Sequence, residues 1–327
     1  MHDPLWTEAA VIQGLTRLPQ LQDLQLILNC CTPLFERWAI GHGCIQLDLL
    51  SGLKKFSLSG DHIHLPRDIV SSVAGLIAKS PQLVHLEVKL GHYGLSWEAT
   101  PTLHDVLSKV PEDHPLQLTH LALNRTGICI DSFTLPHLRC LISLDLRNLP
   151  SPSHVIDFFN LTSERMDWAR ACSTSDTCTI LKQEGIYLKH VGVSDVGVFD
   201  YLSSYSGLET LDLCSMNFNS VEESNTSART FYQTVLPHLV HSLEVLKIQP
   251  KHEGRWCFDP EDDFQSVALF QCNKLRSLSV ALNSTSVVRS ITFSSRDLVL
   301  HQYKDNLDNE VCPWYSLFSG RTCHNNG

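Results

Sequence analysis

The sequence predicts an α/β fold: a solenoid whose parallel strands line a concave side while helices cover the convex side. Three observations carry this. The pattern Leu-x-x-Leu-x-(Leu/Val/Ile) occurs seven times. Its copies recur at an average spacing of about 32 residues, as stacked repeats do. Between several copies the apolar residues switch from alternation to helical spacing. A unit this short cannot bury its own apolar side chains and must stack on its neighbours.

The first strand is Leu21-x-x-Leu24-x-Leu26, preceded by a helix marked by Val11, Leu15 and Leu18. A looser copy, Leu53-x-x-Phe56-x-Leu58, follows. Pro66 then opens a helix whose Ile69, Val73, Leu76 and Ile77 share one face, and Ser80-Pro81 stops it. The next strands are Leu83-x-x-Leu86-x-Val88, Leu118-x-x-Leu121-x-Leu123 and Leu141-x-x-Leu144-x-Leu146. The long step to the looser Leu188-x-x-Val191-x-Val193 holds a helix from Ser153 to Asn160 and an inserted loop or second helix at about 162–179. Val196, Phe199 and Leu202 mark a helix capped by Ser194.

Leu208-x-x-Leu211-x-Leu213 comes next, followed by a second inserted loop at about 217–229 and a helix from about Ala228. The last strict copies are Leu243-x-x-Leu246-x-Ile248 and Leu275-x-x-Leu278-x-Val280. Between them, Asp259-Pro260-Glu261-Asp262 reads as a cap and acidic first turn ahead of Phe264, Val267 and Ala268. Val288-x-x-Ile291-x-Phe293 is a further loose copy, and the pattern fades beyond Ser294. The solenoid is assigned to residues 1–303, and 304–327 to a tail without repeats.

Composition narrows the function classes. Hydrophobic residues at 43% and charged residues at 18% fit an ordered chain. A net charge of -10 argues against a general nucleic-acid binder, which presents a basic face. No apolar run approaches the roughly 20 residues that span a bilayer, and the N-terminus has no long apolar core of a secretory signal. Twelve cysteines occur without any Cys-x-x-Cys, as expected of free thiols in the cytosol or nucleus. Without a signal, the four Asn-x-Ser/Thr sequons are expected to stay unmodified.

Candidate chemistry is sparse. Asp61-His62-Ile63-His64 supplies two His on one face and only one further ligand, too few for zinc. The acidic run at Asp259–Asp263 lacks the alternation and glycine of a calcium loop and reads as a helix start. Cys172 and Cys178 could pair only in an oxidising setting. No nucleophile elbow, phosphate loop, dinucleotide fingerprint or His-Glu-x-x-His is present. The expectation is therefore no enzyme, no metal and no cofactor. A triad assembled from distant residues is the competing reading.

What remains is the strand face. Residues flanking each buried Leu-x-Leu pair face solvent, because strand side chains alternate. The expected binding residues on that concave wall are His85, Glu87, Lys89, His120, Asn124, Asp145, Arg147, His190, Asp212 and Lys247. Both charge signs and several His suit a specific protein partner better than a polyanion. Mere solvation of the strands is the bland alternative.

The copies resemble the leucine-rich-repeat family in its long, ribonuclease-inhibitor-like form, over roughly residues 5–295. Asn29 and Asn283 stand where that family's Asn closes Leu-x-x-Leu-x-Leu-x-x-Asn. The resemblance implies a horseshoe solenoid that binds partners on its concave wall. Ser80-Pro81-Gln82-Leu83-Val84-His85-Leu86 and Leu236-Pro237-His238-Leu239-Val240-His241-Ser242-Leu243 are also similar to the repeat regions of fungal F-box proteins. That likeness implies substrate recognition for a Skp–cullin ubiquitin ligase. The repeats begin near Leu18, which leaves no room for an F-box of about forty residues and implies a recognition arm without its adaptor-binding arm. A stand-alone, monomeric binding solenoid or a truncated fragment are the alternatives.

Overall fold

A computed structural model of the chain describes residues 8–18, 20–27, 46–60, 67–90, 101–124, 126–128, 130–147, 174–214, 216, 218, 220–250, 254–259, 263–282 and 298–302. The chain forms two compact units, Met1–Tyr201 and Leu202–Gly327. Each is an α/β repeat of parallel strands alternating with helices, the class the motif spacing predicts.

In the first unit, helix α1 (Glu8–Thr16) precedes β1 (Asp23–Ile27), and a 3-10 turn at Leu47–Leu49 precedes β2 (Lys55–Gly60). Then come α2 (Arg67–Ala78), β3 (His85–Leu90), α3 (Leu103–Leu107), β4 (His120–Asn124), α4 (Leu135–Leu138) and β5 (Ser143–Arg147). Helix α5 (Thr174–Gln183), β6 (His190–Val193) and α6 (Phe199–Leu202) follow. Strands β1 to β6 lie side by side in sequence order, all parallel.

The register is what the repeat demands. Leu24, Phe56, Leu86, Leu121, Leu144 and Val191 align as one row. All six are buried. The second apolar row is Leu26, Leu58, Val88, Leu123, Leu146 and Val193. Neighbouring strands are locked before they begin by a recurring fork. The Gln22 carbonyl accepts from the N–H groups of Lys54 and Lys55 at 2.7 and 2.9 Å. The Lys54 carbonyl repeats this with Val84 and His85, and the Val84 carbonyl with Thr119 and His120. A one-residue slip would break the fork and turn the apolar row to solvent.

Behind the sheet, α2 packs on the Leu47–Leu49 turn and on α3. Ile69, Val73, Leu76 and Ile77 are buried as their spacing predicts, and buried Ser80 accepts from the Leu53 N–H at 3.1 Å. Helix α3 begins with a full capping box between Thr102 and Asp105. In α1 the inward residue is Ile12, whereas Val11 and Leu18 are 45% and 53% exposed. The helix ends at Thr16, so Leu18 falls outside its periodicity.

The second unit contains β7 (Thr210–Cys214), α7 (Val221–Thr230), a π-helical turn (Phe231–Val235), α8 (Leu236–Leu239), β8 (Val245–Gln249), α9 (Asp263–Gln271), β9 (Ser277–Leu282) and β10 (Leu298–Gln302). Its strands are also parallel and in sequence order. The Glu209 and Glu244 carbonyls repeat the fork toward β8 and β9. The π turn sits just before Pro237, which lacks an N–H and cannot close an α-helical bond to Gln233. Leu236 N–H instead bonds to the Phe231 carbonyl.

Several expectations are corrected. The stretch expected as a loop at 217–229 is largely helix α7, capped by Ser220, whose Oγ accepts from Glu223 N–H at 3.1 Å. It escapes periodicity because Ala228 alone among its residues is buried. For 162–179, expected as an inserted loop or a second helix, the described part is the second helix, α5, with Thr174, Thr177, Cys178 and Leu181 buried on one face. Asp195, not Ser194, caps the turn ahead of α6, accepting from Gly197 N–H at 2.8 Å. On α9 the inward residues are Gln265, Ala268 and Leu269, while Val267 is exposed. Gln265 is buried because its amide donates to the Arg255 and Cys257 carbonyls and accepts from Asp259 N–H, holding that loop.

The final strand is Leu298–Gln302, paired in register with β9, beyond the point where the sequence pattern fades. The Val288 copy, Asp61–His64, Cys172, the Ser153–Asn160 helix and residues 304–327 lie outside the described residues. Among the described residues, no helix is long and apolar enough to cross a membrane.

Candidate functional site: the solvent face of the strands

Register turns the alternation of each strand into rows of outward-facing side chains. In the first unit the first row is Asp23, Lys55, His85, His120, Ser143 and His190. The middle row is Gln25, Ser57, Glu87, Ala122, Asp145 and Gly192. The third holds Lys89, Asn124 and Arg147 as register partners. Adjacent strands stand about 4.8 Å apart, so neighbours in a row are in reach of one another. Eight of the expected wall residues are thus brought onto one face of this unit, all half-buried.

The rows are electrostatically distinct. Both middle-row acids are tied to a third-row cation two residues on along the same strand. The Glu87 carboxylate pairs with the Lys89 ammonium. Asp145 Oδ1 accepts from Arg147 Nε at 2.8 Å. Partial burial of Glu87 would raise its pKa, but Lys89 overrides that by hydrogen bond and charge, helped by Ser57 and His85, and the net shift is downward. The Ser57 hydroxyl forms no well-aligned hydrogen bond, yet it lies close enough to favour the ionised carboxylate. Half-exposed pairs of this kind contribute about 0–1 kcal/mol, so their effect is to orient charge more than to hold the fold.

Gly192 explains how the Asp145–Arg147 pair lies over the strand. A Cβ there would meet Asp145 Oδ1 at 2.9 Å and Arg147 Nη2 at 3.4 Å. A larger residue on β6 would lift the pair off the sheet.

The first row is built of bases. The His85 and His120 rings stack at 5.4 Å with 26° between planes. His85 Nε2 is 3.9 Å from Glu87, and Lys55 Nζ is 3.6 Å from Asp23. Thr119, at a variable position of its motif just before the strand, anchors the His120 ring. Its hydroxyl donates to the Val84 carbonyl at 3.1 Å and lies 2.8 Å from His120 Nδ1. Burial, then the nearby His85, His190 and Lys55, hold the His120 pKa below its ordinary value.

In the second unit, Asp212 on β7 is the register partner of Lys247 on β8. The Cys214 thiol donates to the Asp212 carboxylate and lies 3.4 Å from Gln249 Oε1. Asp212 and Lys247 thus share a middle row of their own.

One polar cluster off the wall escaped the sequence reading. Asp131 accepts from the N–H groups of Phe133 and Thr134 at 3.0 and 2.7 Å and contacts His104 Nδ1 at 2.8 Å. Burial opposes its ionisation, but the Thr134 and His104 hydrogen bonds prevail and lower its pKa. The Asp-x-x-Thr spacing was the available signal for this cap. Among the described residues, no group of three or more His, Cys, Asp or Glu could hold a metal ion.

No protein-family model matches the chain, and a comparison with curated proteins finds no match.

Proposed function

We propose that this chain is a protein-binding repeat protein of the leucine-rich-repeat kind that selects substrates for an F-box-type ubiquitin ligase. The observation that supports it is the aligned wall of the first unit, where Glu87, Lys89, Asp145 and Arg147 present two oriented ion pairs on strands β3 and β5. Ion pairs in fixed register supply partner selection more than affinity. The parallel-strand repeat that carries them is the architecture in which such walls bind proteins.

The test is co-purification of the full chain from cells with and without the double reversal Asp145→Arg, Arg147→Asp. A substrate-like protein lost on reversal is the expected result, together with a Skp adaptor retained by both forms once the upstream genomic reading frame is restored to supply an F-box. A partner retained by the reversed form refutes the wall as the binding surface. A wall-dependent partner without any adaptor, even with the upstream reading frame restored, leaves a stand-alone binding protein and removes the ligase role.

A further inference from the structure

We propose that the first row of the wall in the first unit is a proton-linked receptor for carboxylates, so that the partner segment seated there is an acidic peptide. This rests on the binding-wall reading above and names its partner. Four of six strands place a base in one aligned row: Lys55, His85, His120 and His190. The row contains one acid, Asp23 at its β1 end. That residue's pair with Lys55, at 3.6 Å and largely solvent-exposed on both sides, is readily exchanged for another carboxylate. On a chain of net charge -10 with its His neutral, this row turns positive when its His residues take up protons.

The groups around it sharpen the preference. Glu87 and Asp145 in the middle row already hold Lys89 and Arg147. Glu87 also stands 3.9 Å from His85 Nε2, and a partner's carboxylate over the first row meets acids already paired with cations of their own strands. Ser143 adds a hydroxyl between His120 and His190.

The stacked pair makes the site depend on protons. With His120 Nδ1 held 2.8 Å from the Thr119 hydroxyl, the protonated ring has an N–H at Nε2, the nitrogen distal to the backbone, to offer a ligand. Two imidazolium rings at 5.4 Å repel one another, and burial opposes charging His120. A carboxylate lying along the row offsets both penalties. Binding of an acidic segment and uptake of protons by His85 and His120 then assist each other, by reciprocity of linked equilibria.

The experiment uses the full-length chain and a fluorescent ten-residue glutamate peptide, with a ten-residue glutamine peptide as the neutral control, read by anisotropy at pH 7.5, 6.5 and 5.5. One fully linked proton tightens binding up to tenfold per pH unit. We expect the glutamate peptide to tighten several-fold from pH 7.5 to 5.5, and the double variant H85Q/H120Q to remove that dependence. The variant H114Q, at an exposed His off the wall, controls for the general fall in negative charge and is expected to behave as wild type. Absence of glutamate-peptide binding, a flat pH profile in the wild type, or an unchanged profile in H85Q/H120Q overturns the proposal. Those results leave the wall itself standing, because its test is the charge reversal at Asp145 and Arg147.

Discussion

His137 and His238 occupy the same tetrapeptide, Leu-Pro-His-Leu, and should respond oppositely to truncation. His137 is 1% exposed, its Nδ1 accepts from the Leu116 N–H at 2.9 Å, and its ring meets Phe133 edge-on at 5.6 Å. His137→Ala leaves that buried N–H unsatisfied, a loss of about 1–3 kcal/mol, and opens a cavity that adds about 1 kcal/mol or more. The expected destabilisation is about 3 kcal/mol. His238 is exposed, and His238→Ala should stay within about 0.5 kcal/mol. His137→Gln, which keeps an acceptor, should recover part of the loss. Urea unfolding at pH 7.5 measures all three as midpoint shifts at constant slope. Equal midpoints for His137→Ala and His238→Ala would refute the reasoning.

The pH dependence of the same residue has a definite sign. Burial lowers the His137 pKa from its ordinary 6.5. The unfolded chain therefore binds a proton before the folded one does. Its stabilising contribution is complete above pH 6.5 and is lost as pH falls from there through the folded value. His137→Gln should flatten that part of the stability profile.

Asp131→Ala should destabilise by about 1–2 kcal/mol through loss of the cap on Phe133 and Thr134, measured by thermal unfolding. The loss should shrink as pH falls through the lowered Asp131 value, because the wild type then loses the same charge. Gly192→Val should leave stability nearly unchanged yet displace Asp145 and Arg147, and so abolish capture of the partner that the charge reversal also loses. Among Cys140, Cys178, Cys214, Cys257 and Cys272, Cys140 alone should react quickly with iodoacetamide in the native protein at pH 8, since the other four are buried. Burial pushes the Cys178 and Cys272 thiols up to about 12 and about 11, so mass mapping that finds either alkylated early would contradict the packing.

The strands were legible because their signal is dense. Leu86, Leu121 and Leu144 repeat one face at one spacing, and two apolar rows fix register without help from distant residues. The wall followed from the same alternation, which is why His85, Glu87, Asp145 and Arg147 could be named together. Helices with polar inward faces were only partly legible: a second helix was one of two readings for 162–179, and 217–229 read as a loop. In α5 the inward face includes Thr174 and Thr177, and in α7 nearly every residue faces water. Nor could alternation reveal Thr119, whose hydroxyl links the His120 ring to a carbonyl 35 residues away in sequence.

By itself the sequence determined where strands β1 to β9 begin, which of their residues turn inward, and which charges share the outer face. These are consequences of a period of two and a repeat too short to bury itself. Only the tertiary structure decided how those charges are used: that Glu87 and Asp145 are held within their strands, that Gly192 makes room, and that the bases of the first row align. The two Leu-Pro-His-Leu segments show the physical reason. Local sequence sets a turn of helix in both, but whether its imidazole is a buried acceptor or a solvated side chain depends on what an adjacent repeat brings against it.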